Sequence, residues 1–226
     1  MPPSREELRA RSLSCFRSGR NWSKADIFLW DGPGPRLAIK DYAARPAWIR
    51  MTLGRCLVGR ECTAYGRLQG IPGIPPFAGR IDSFAFAVGF IRGEDLSRIR
   101  RGDLPSKFFS RLLSLLDSIH RAGVAQGDLH HRDVICDPAG SPFLIDFSTA
   151  VFLEADSGRI RRHLFEAACA SDVRAALKLK RRHDPGEITP GEREILDHPP
   201  RLYRAGKLLR RLVRAEGRGS SRSVER

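Results

Sequence analysis

Of the four aspartates within one short segment, Gly127 to Phe147, written GDLHHRDVICDPAGSPFLIDF, three are spaced to do chemistry. Asp128 leads, Asp133 follows five residues later, and Asp146 closes the segment. Between the last two, the apolar runs Val134–Cys136 and Phe143–Ile145 flank a Pro/Gly/Ser-rich turn, the pattern of a β-hairpin. A hairpin symmetric about Ala139–Gly140 would set Asp133 opposite Asp146, and opposed Cα atoms in an antiparallel pair lie about 4.5–5.5 Å apart. Like charges so placed destabilise a sheet. A divalent cation such as Mg²⁺ removes that penalty, and it binds through one or two carboxylates plus substrate phosphates. The spacing therefore implies a metal and, with it, a nucleotide. Asp137, beside Pro138, reads instead as a solvated turn residue.

The elements that must position these groups can be read outward from the hairpin. Ala25–Trp30 and Arg36–Tyr42 read as strands joined by Asp31-Gly32-Pro33-Gly34-Pro35, a turn rather than a phosphate cradle. The better cradle is the earlier stretch from Phe16 to Lys24, with Gly19 at its centre and Trp22 as a cap over a nucleotide or a core residue. A helix is expected from about Trp48 to Leu68, ended by Gly70 and Pro72, with Leu53, Leu57, Tyr65 and Leu68 as its buried stripe. Glu61 lies on that stripe, and a carboxylate facing a core is costly unless paired. Lys40, the only charged residue in Leu37–Lys40, is its natural partner.

Ile71–Gly79 reads as a loop or irregular strand, Ser83–Ile91 as a buried strand, and Phe90–Leu96 as a connector. Pro105 opens an amphipathic helix through Phe108, Phe109, Leu112, Leu113, Leu116 and Ile119, with Gly123 as its stop. Arg159–Arg182 reads as mainly helical, and a last helix starts near Thr189-Pro190. His120, at the end of a helix, is favoured there by the dipole. His130 and His131 read as structural or acceptor-contacting residues, because hard cations at phosphoryl sites take oxygen ligands.

Composition bounds the setting. The 226 residues suffice for one large domain or two small lobes, and 41% are hydrophobic. The longest apolar stretch, Phe84–Ile91, falls far short of the about 20 residues that span a bilayer. The first residues lack the apolar core of a secretory signal. Five cysteines without CxxC spacing read as reduced thiols, so a cytoplasmic setting is expected. A net charge of +14 implies an anionic partner: nucleic acid, an acidic membrane surface or a phosphorylated substrate. Arg201–Arg226 carries nine Lys/Arg against two Glu, so half of the excess sits there. Its stretch Leu202–Val213 has the pattern of a basic amphipathic helix, suited to peripheral membrane contact or to packing on the fold.

Lys40 in a strand, Glu61 on the next helix, Asp128, a ligand five residues on at Asp133, and Asp146 after a hairpin together resemble the protein-kinase signature. The resemblance covers about residues 14–183. GDLHHRDV and LIDF, with the later Ser171-Asp172-Val173-Arg174 and LKLKRR, look like the compact bacterial branch: lipopolysaccharide core (heptose/Kdo) kinases and their Rio-type relatives.

That resemblance implies an α+β two-lobe fold. Residues 1–13 would be an extension, 14–91 a β-rich lobe with one long helix, 92–200 a reduced helical lobe, and 201–226 a basic tail. It implies ATP and Mg²⁺ as cofactors. Lys40 would hold the α/β-phosphates and Glu61 would orient it. Asp128 would handle the acceptor hydroxyl proton, and Asp146 and Asp133 would bind metal. Gly19 would belong to the phosphate loop, and Phe90, Ile91 and Arg92 to the hinge under adenine. Asp172, at the start of a helix, would brace the catalytic loop.

The chain departs from the pattern in several places. Asp133 replaces Asn, Ser148 replaces the Gly of Asp-Phe-Gly, and Gln126 replaces His. No arginine precedes Asp128, and there is no G-x-G-x-x-G or Ala-Pro-Glu. These absences favour an acceptor smaller than a docked peptide, first a lipopolysaccharide inner-core sugar. The alternatives are an atypical Rio-like serine/threonine kinase, for which RNA contact is open, and a nucleotide-binding pseudokinase scaffold.

Overall fold

A computed structural model describes residues 2–10, 15–19 and 24–198. Trp22 and the basic stretch from Arg201 onward lie outside the described residues.

The first half is built on a five-stranded antiparallel sheet. Its strands are β1 (Cys15–Arg17), β2 (Asp26–Trp30), β3 (Leu37–Asp41), β4 (Phe77–Arg80) and β5 (Ala85–Gly89), in the order β1-β2-β3-β5-β4. Alternation in β3 buries Leu37, Ile39 and Asp41 on one side and turns Ala38 and Lys40 to the other. A short helix, α1 (Arg5–Ala10), is tied to this half by Arg5, which pairs with Asp41 and with Asp82.

The helical segment that carries Glu61 runs through α2 (Ala47–Ile49), a π turn (Arg50–Gly54) and α3 (Arg55–Arg67). Its buried face is Val58, Glu61, Ala64, Tyr65 and Leu68. Leu53, expected on that face, is instead 42% exposed, because the π turn inserts a residue and rotates the preceding turns off the 3.6-residue stripe.

The second half contains β6 (Glu94–Asp95), α4 (Phe108–Arg121), β7 (Val124–Ala125), β8 (Val134–Cys136), β9 (Pro142–Leu144), β10 (Val151–Phe152), α5 (Arg159–His183) and α6 (Pro190–Asp197). Helix α4 begins three residues after Pro105 and buries Leu115 where Leu113 was expected; Leu113 packs at the edge. A capping box of Thr189 and Glu192 starts α6, and Glu192 also binds Lys180 of α5 at 2.8 Å. One continuous core runs from Tyr65, Phe86 and Val88 through Phe147 to Leu116 and Leu179. Among the described residues, no helix is long and apolar enough to cross a membrane.

The hairpin differs from expectation by one residue. β8 pairs with β9 as Val134↔Leu144, Ile135↔Phe143 and Cys136↔Pro142, so the turn centres on Ala139. Asp133 therefore faces Ile145, whose N–H donates to the Asp133 carbonyl at 3.0 Å. The cause is the turn itself: Asp137 accepts from the Ser141 N–H through its side chain and from Gly140 through its carbonyl. The turn residue that looked incidental sets the register.

Candidate active site

Lys40 enters the site from the middle of the sheet, flanked by β2 and β5. Its ammonium donates to Glu61 Oε2 at 2.5 Å and stands 3.6 Å from Asp146 Oδ1. Burial alone would lower the Lys40 pKa, but Asp146 and Glu61 outweigh it and hold the ammonium charged. Glu61 is 1% exposed; burial pushes its carboxyl up to about 7, against the pull of Lys40 and with the help of Asp146. Burial also pushes Asp146 upward, yet Lys40, then Lys24, then the Ser148 N–H hold it well below the usual carboxylate range.

Tyr65 fixes the spacing between α3 and the Asp146 segment. Its ring meets Phe147 edge-on at 5.2 Å and Phe86 at 5.9 Å, and its hydroxyl donates to the Ile145 carbonyl at 2.7 Å. The Phe147 N–H points at Glu61 Oε2, 3.4 Å away. Asp146 is thus bracketed by Ile145 and Phe147, both fastened to the helix that carries Glu61.

On the other side, Asp128 sits on a loop held by buried groups. Asp172 is fully buried and accepts from the Gln126 N–H at 2.7 Å and the Gly127 N–H at 2.8 Å; His120 Nε2 lies 3.1 Å away. It lies midway along α5 rather than at a helix start, because the helix begins at Arg159. His120, read as a dipole-favoured helix end, is also a partner of this carboxylate. Gln126 closes the loop onto the Asp146 segment: its side chain donates to the Asp146 carbonyl at 3.0 Å and accepts from the Asp128 N–H at 2.9 Å. The residue that departs from the pattern is a clasp between two aspartates.

Asp133 accepts from the His130 N–H at 2.9 Å, which closes the loop turn. Burial first, and Asp146 second, push its carboxyl up to about 6. The two carboxylates are electrostatic neighbours without being directly opposed strand residues. Asp128 is more open, with 26% of its side chain exposed and His130 Nε2 at 3.7 Å.

Between sheet and hairpin lies a cleft with Ile27, Ala38 and Val88 above, Ile135 and Ile145 below, and Lys40 at its inner end. Phe90 and Ile91 line its edge. Arg92, expected with them, is exposed and outside this lining, because its side chain leaves the connector on the solvent side. Gly19 belongs to the stretch expected as a cradle, of which residues 20–23 lie outside the described residues. Its N–H is taken by Asp26 at 2.9 Å, and a Cβ there would come within 2.3 Å of the Lys24 carbonyl. A glycine here permits this close chain approach.

Lys24 was not singled out in sequence. It reaches Asp146 Oδ2 at 3.4 Å while 57% exposed. No periodicity marks it, since it lies in an irregular stretch and meets Asp146 only through the fold.

No family model matches the sequence, and no curated protein sequence matches it. Among solved structures, the Rio2 kinase from Chaetomium thermophilum matches with a TM-score of 0.61 at 17% identity, over 86% of this chain and 66% of that one. A Rio2 kinase–ADP/Mg²⁺–phosphoaspartate complex from the same organism matches with a TM-score of 0.58 at 15% identity, over 85% and 64%. The chain thus spans just under two thirds of the Rio2 chains it matches. At that identity the likeness concerns architecture, and it covers both the sheet and the helical half: the chain has a protein-kinase-like fold of the kind seen in Rio2 kinases.

Proposed function

We propose that the chain is an ATP- and Mg²⁺-dependent phosphotransferase that acts on a hydroxyl acceptor. One observation carries this reading: Lys40, Glu61 and Asp146 meet at the inner end of an apolar cleft, and Gln126 joins the Asp128 loop to the same Asp146 segment. The apolar walls suit a purine ring, and Lys40 suits the phosphates beyond it.

The donor set also fits a hard cation. Asp146 is held ionised, and Asp133 is raised partly by that neighbouring charge, so a cation between them would relieve the repulsion. Asp146 and Asp133 would hold Mg²⁺, which supplies charge neutralisation on the phosphates when bound. Glu61 holds Lys40 in place, and Lys24 adds a second cation at the same end. Asp128, partly open and held through its backbone by Gln126, orients the acceptor hydroxyl and takes its proton. The rest is positioning and electrostatics, which phosphoryl transfer mainly needs.

For the acceptor, the first assignment is a sugar hydroxyl of the lipopolysaccharide inner core, an anionic molecule suited to a chain of +14 charge at a peripheral membrane position. The likeness to Rio2 favours a second reading, an atypical serine/threonine kinase or a phosphoaspartate-forming ATPase. Incubation with labelled ATP and, separately, lipopolysaccharide precursor, protein substrate or no acceptor distinguishes them. Label on the sugar supports the first reading, and stable label on protein supports the kinase form of the second. Hydroxylamine-labile label on the chain itself supports the aspartyl form. No label and no ATP turnover beyond an Asp128→Asn control overturns the enzyme and leaves a nucleotide-binding scaffold.

A further inference from the structure

Away from the nucleotide cleft, an open groove of about 1030 Å³ runs between the first two turns of α3 and the start of α5, with β10 as its floor. Arg55 and Arg60 stand on the α3 wall, Arg159 and Arg161 on the α5 wall, and no carboxylate lines it. Arg55, Arg60 and Arg159 have no carboxylate partner among the described residues, and Arg161 donates only to the Phe152 carbonyl at 3.2 Å. Ile160 and Leu164, four residues apart on one face of α5, are 79% and 58% exposed beside these charges. Among the described residues, nothing covers this apolar stripe walled on both sides by cations.

We propose that this groove is a docking site for an acidic amphipathic helix of a partner protein. Apolar residues spaced by three and four would cover Ile160 and Leu164, and flanking carboxylates would meet arginines from both walls. Charge decides the occupant. The chain's own residues 201–226 carry nine basic and two acidic side chains and are repelled, as is a second copy of a chain whose net charge is +14. Shape decides it further: a bilayer is flat and would touch the rims while leaving the floor at β10 uncovered. The groove wall also carries Arg60, the residue before Glu61, so an occupant bears on the helix that holds Lys40.

The test is fluorescence anisotropy with the full chain and no nucleotide. The probe is a labelled peptide of about five helical turns, with Leu at helical i, i+3, i+4, i+7 spacing and Glu elsewhere. Its counterpart replaces every Glu with Lys. The double variant Arg55→Glu/Arg159→Glu should weaken the Glu peptide on the order of tenfold and gain affinity for the Lys peptide. A second variant, Gly59→Gln, extends into the groove without touching charge; a Cβ there meets no atom within 4 Å, so the helix accepts it. It should weaken the Glu peptide as well, with an unchanged circular dichroism spectrum. Equal affinity of the Glu peptide for wild type and both variants overturns the proposal, as does no binding. Recruitment to phosphatidylglycerol vesicles that the variants abolish, with no peptide binding, overturns it in favour of a membrane. Because nucleotide is absent, failure of the phosphotransferase reading leaves this result unaffected.

Discussion

The two sides of the candidate site solve the problem of buried charge differently. Around Lys40, Glu61 and Asp146, opposite charges are paired within 3.6 Å, and Tyr65 stitches the helix to the hairpin. Around Asp128 and Asp133, the Gln126 side chain accepts from the Asp128 N–H, the Asp133 carboxylate accepts from the His130 N–H, and burial with the neighbouring Asp146 charge raises the Asp133 carboxyl. The first side is complete as a fold; the second acquires its balance only with ligand. Stability and chemistry should therefore separate between the two, and five substitutions probe how far.

Asp128→Asn should give the largest effect on activity and almost none on folding. Loss of the proton acceptor lowers phosphoryl transfer by about 10²–10⁴-fold. Its melting temperature should stay within about 2 °C of wild type, since the Gln126 clasp uses the Asp128 backbone. A large fall in melting temperature would show that both sides carry the fold.

Lys40→Met should lower stability as well as activity. It removes the buried ammonium that Glu61 and Asp146 share, a loss of about 3–5 kcal/mol in urea unfolding. Glu61→Gln should cost far less, because Asp146 still holds Lys40 and the Glu61 carboxyl already sits near 7. Equal losses from the two would remove Asp146 from the pairing.

Tyr65→Phe keeps the ring packing and deletes only the bond to Ile145, so about 1–2 kcal/mol is expected in the same measurement. No loss would mean that the ring contacts alone place the Asp146 segment.

The smallest effect belongs to Asp133→Asn, and its sign depends on pH. The native carboxyl titrates near 6 against 3.8 unfolded, so the folded state holds its proton more tightly. That favours folding below about 4 and is lost as pH rises through 6. In a chelator, the Asn variant should therefore melt a few degrees above wild type at pH 8 and near it at pH 4. Equal differences at both pH values would sever Asp133 from Asp146.

The same contrast explains what was legible in sequence. Lys40 and Glu61 were readable because each is a charge inside an apolar period, and the only economical explanation is the other. Asp146 was readable because it ends an apolar strand. The hairpin register was missed by one residue, since the Asp137 side chain, rather than apolar symmetry, chooses the turn centre. Lys24 and the Gln126 clasp were not legible as parts of the site. Their partners are distant in sequence, and neither lies in a periodic element. Leu53 was misassigned because a π turn leaves no mark in a hydrophobic pattern.

Gly93 has a φ of +144°, and a Cβ on it would come within 2.2 Å of the Cys136 carbonyl. Immediately after it, Glu94 and Asp95 pair with Cys136 and Ile135 of the hairpin. Three residues before it, the Phe90 N–H donates to the Arg36 carbonyl, on the sheet side. The connector is therefore anchored at both ends, with Ile91 and Arg92 as the only slack. A ring entering the cleft meets an edge that cannot lengthen or refold around it. Selection among flat ligands should then follow thickness and outline, and a bulky residue at position 93 should loosen that selectivity before it unfolds the chain.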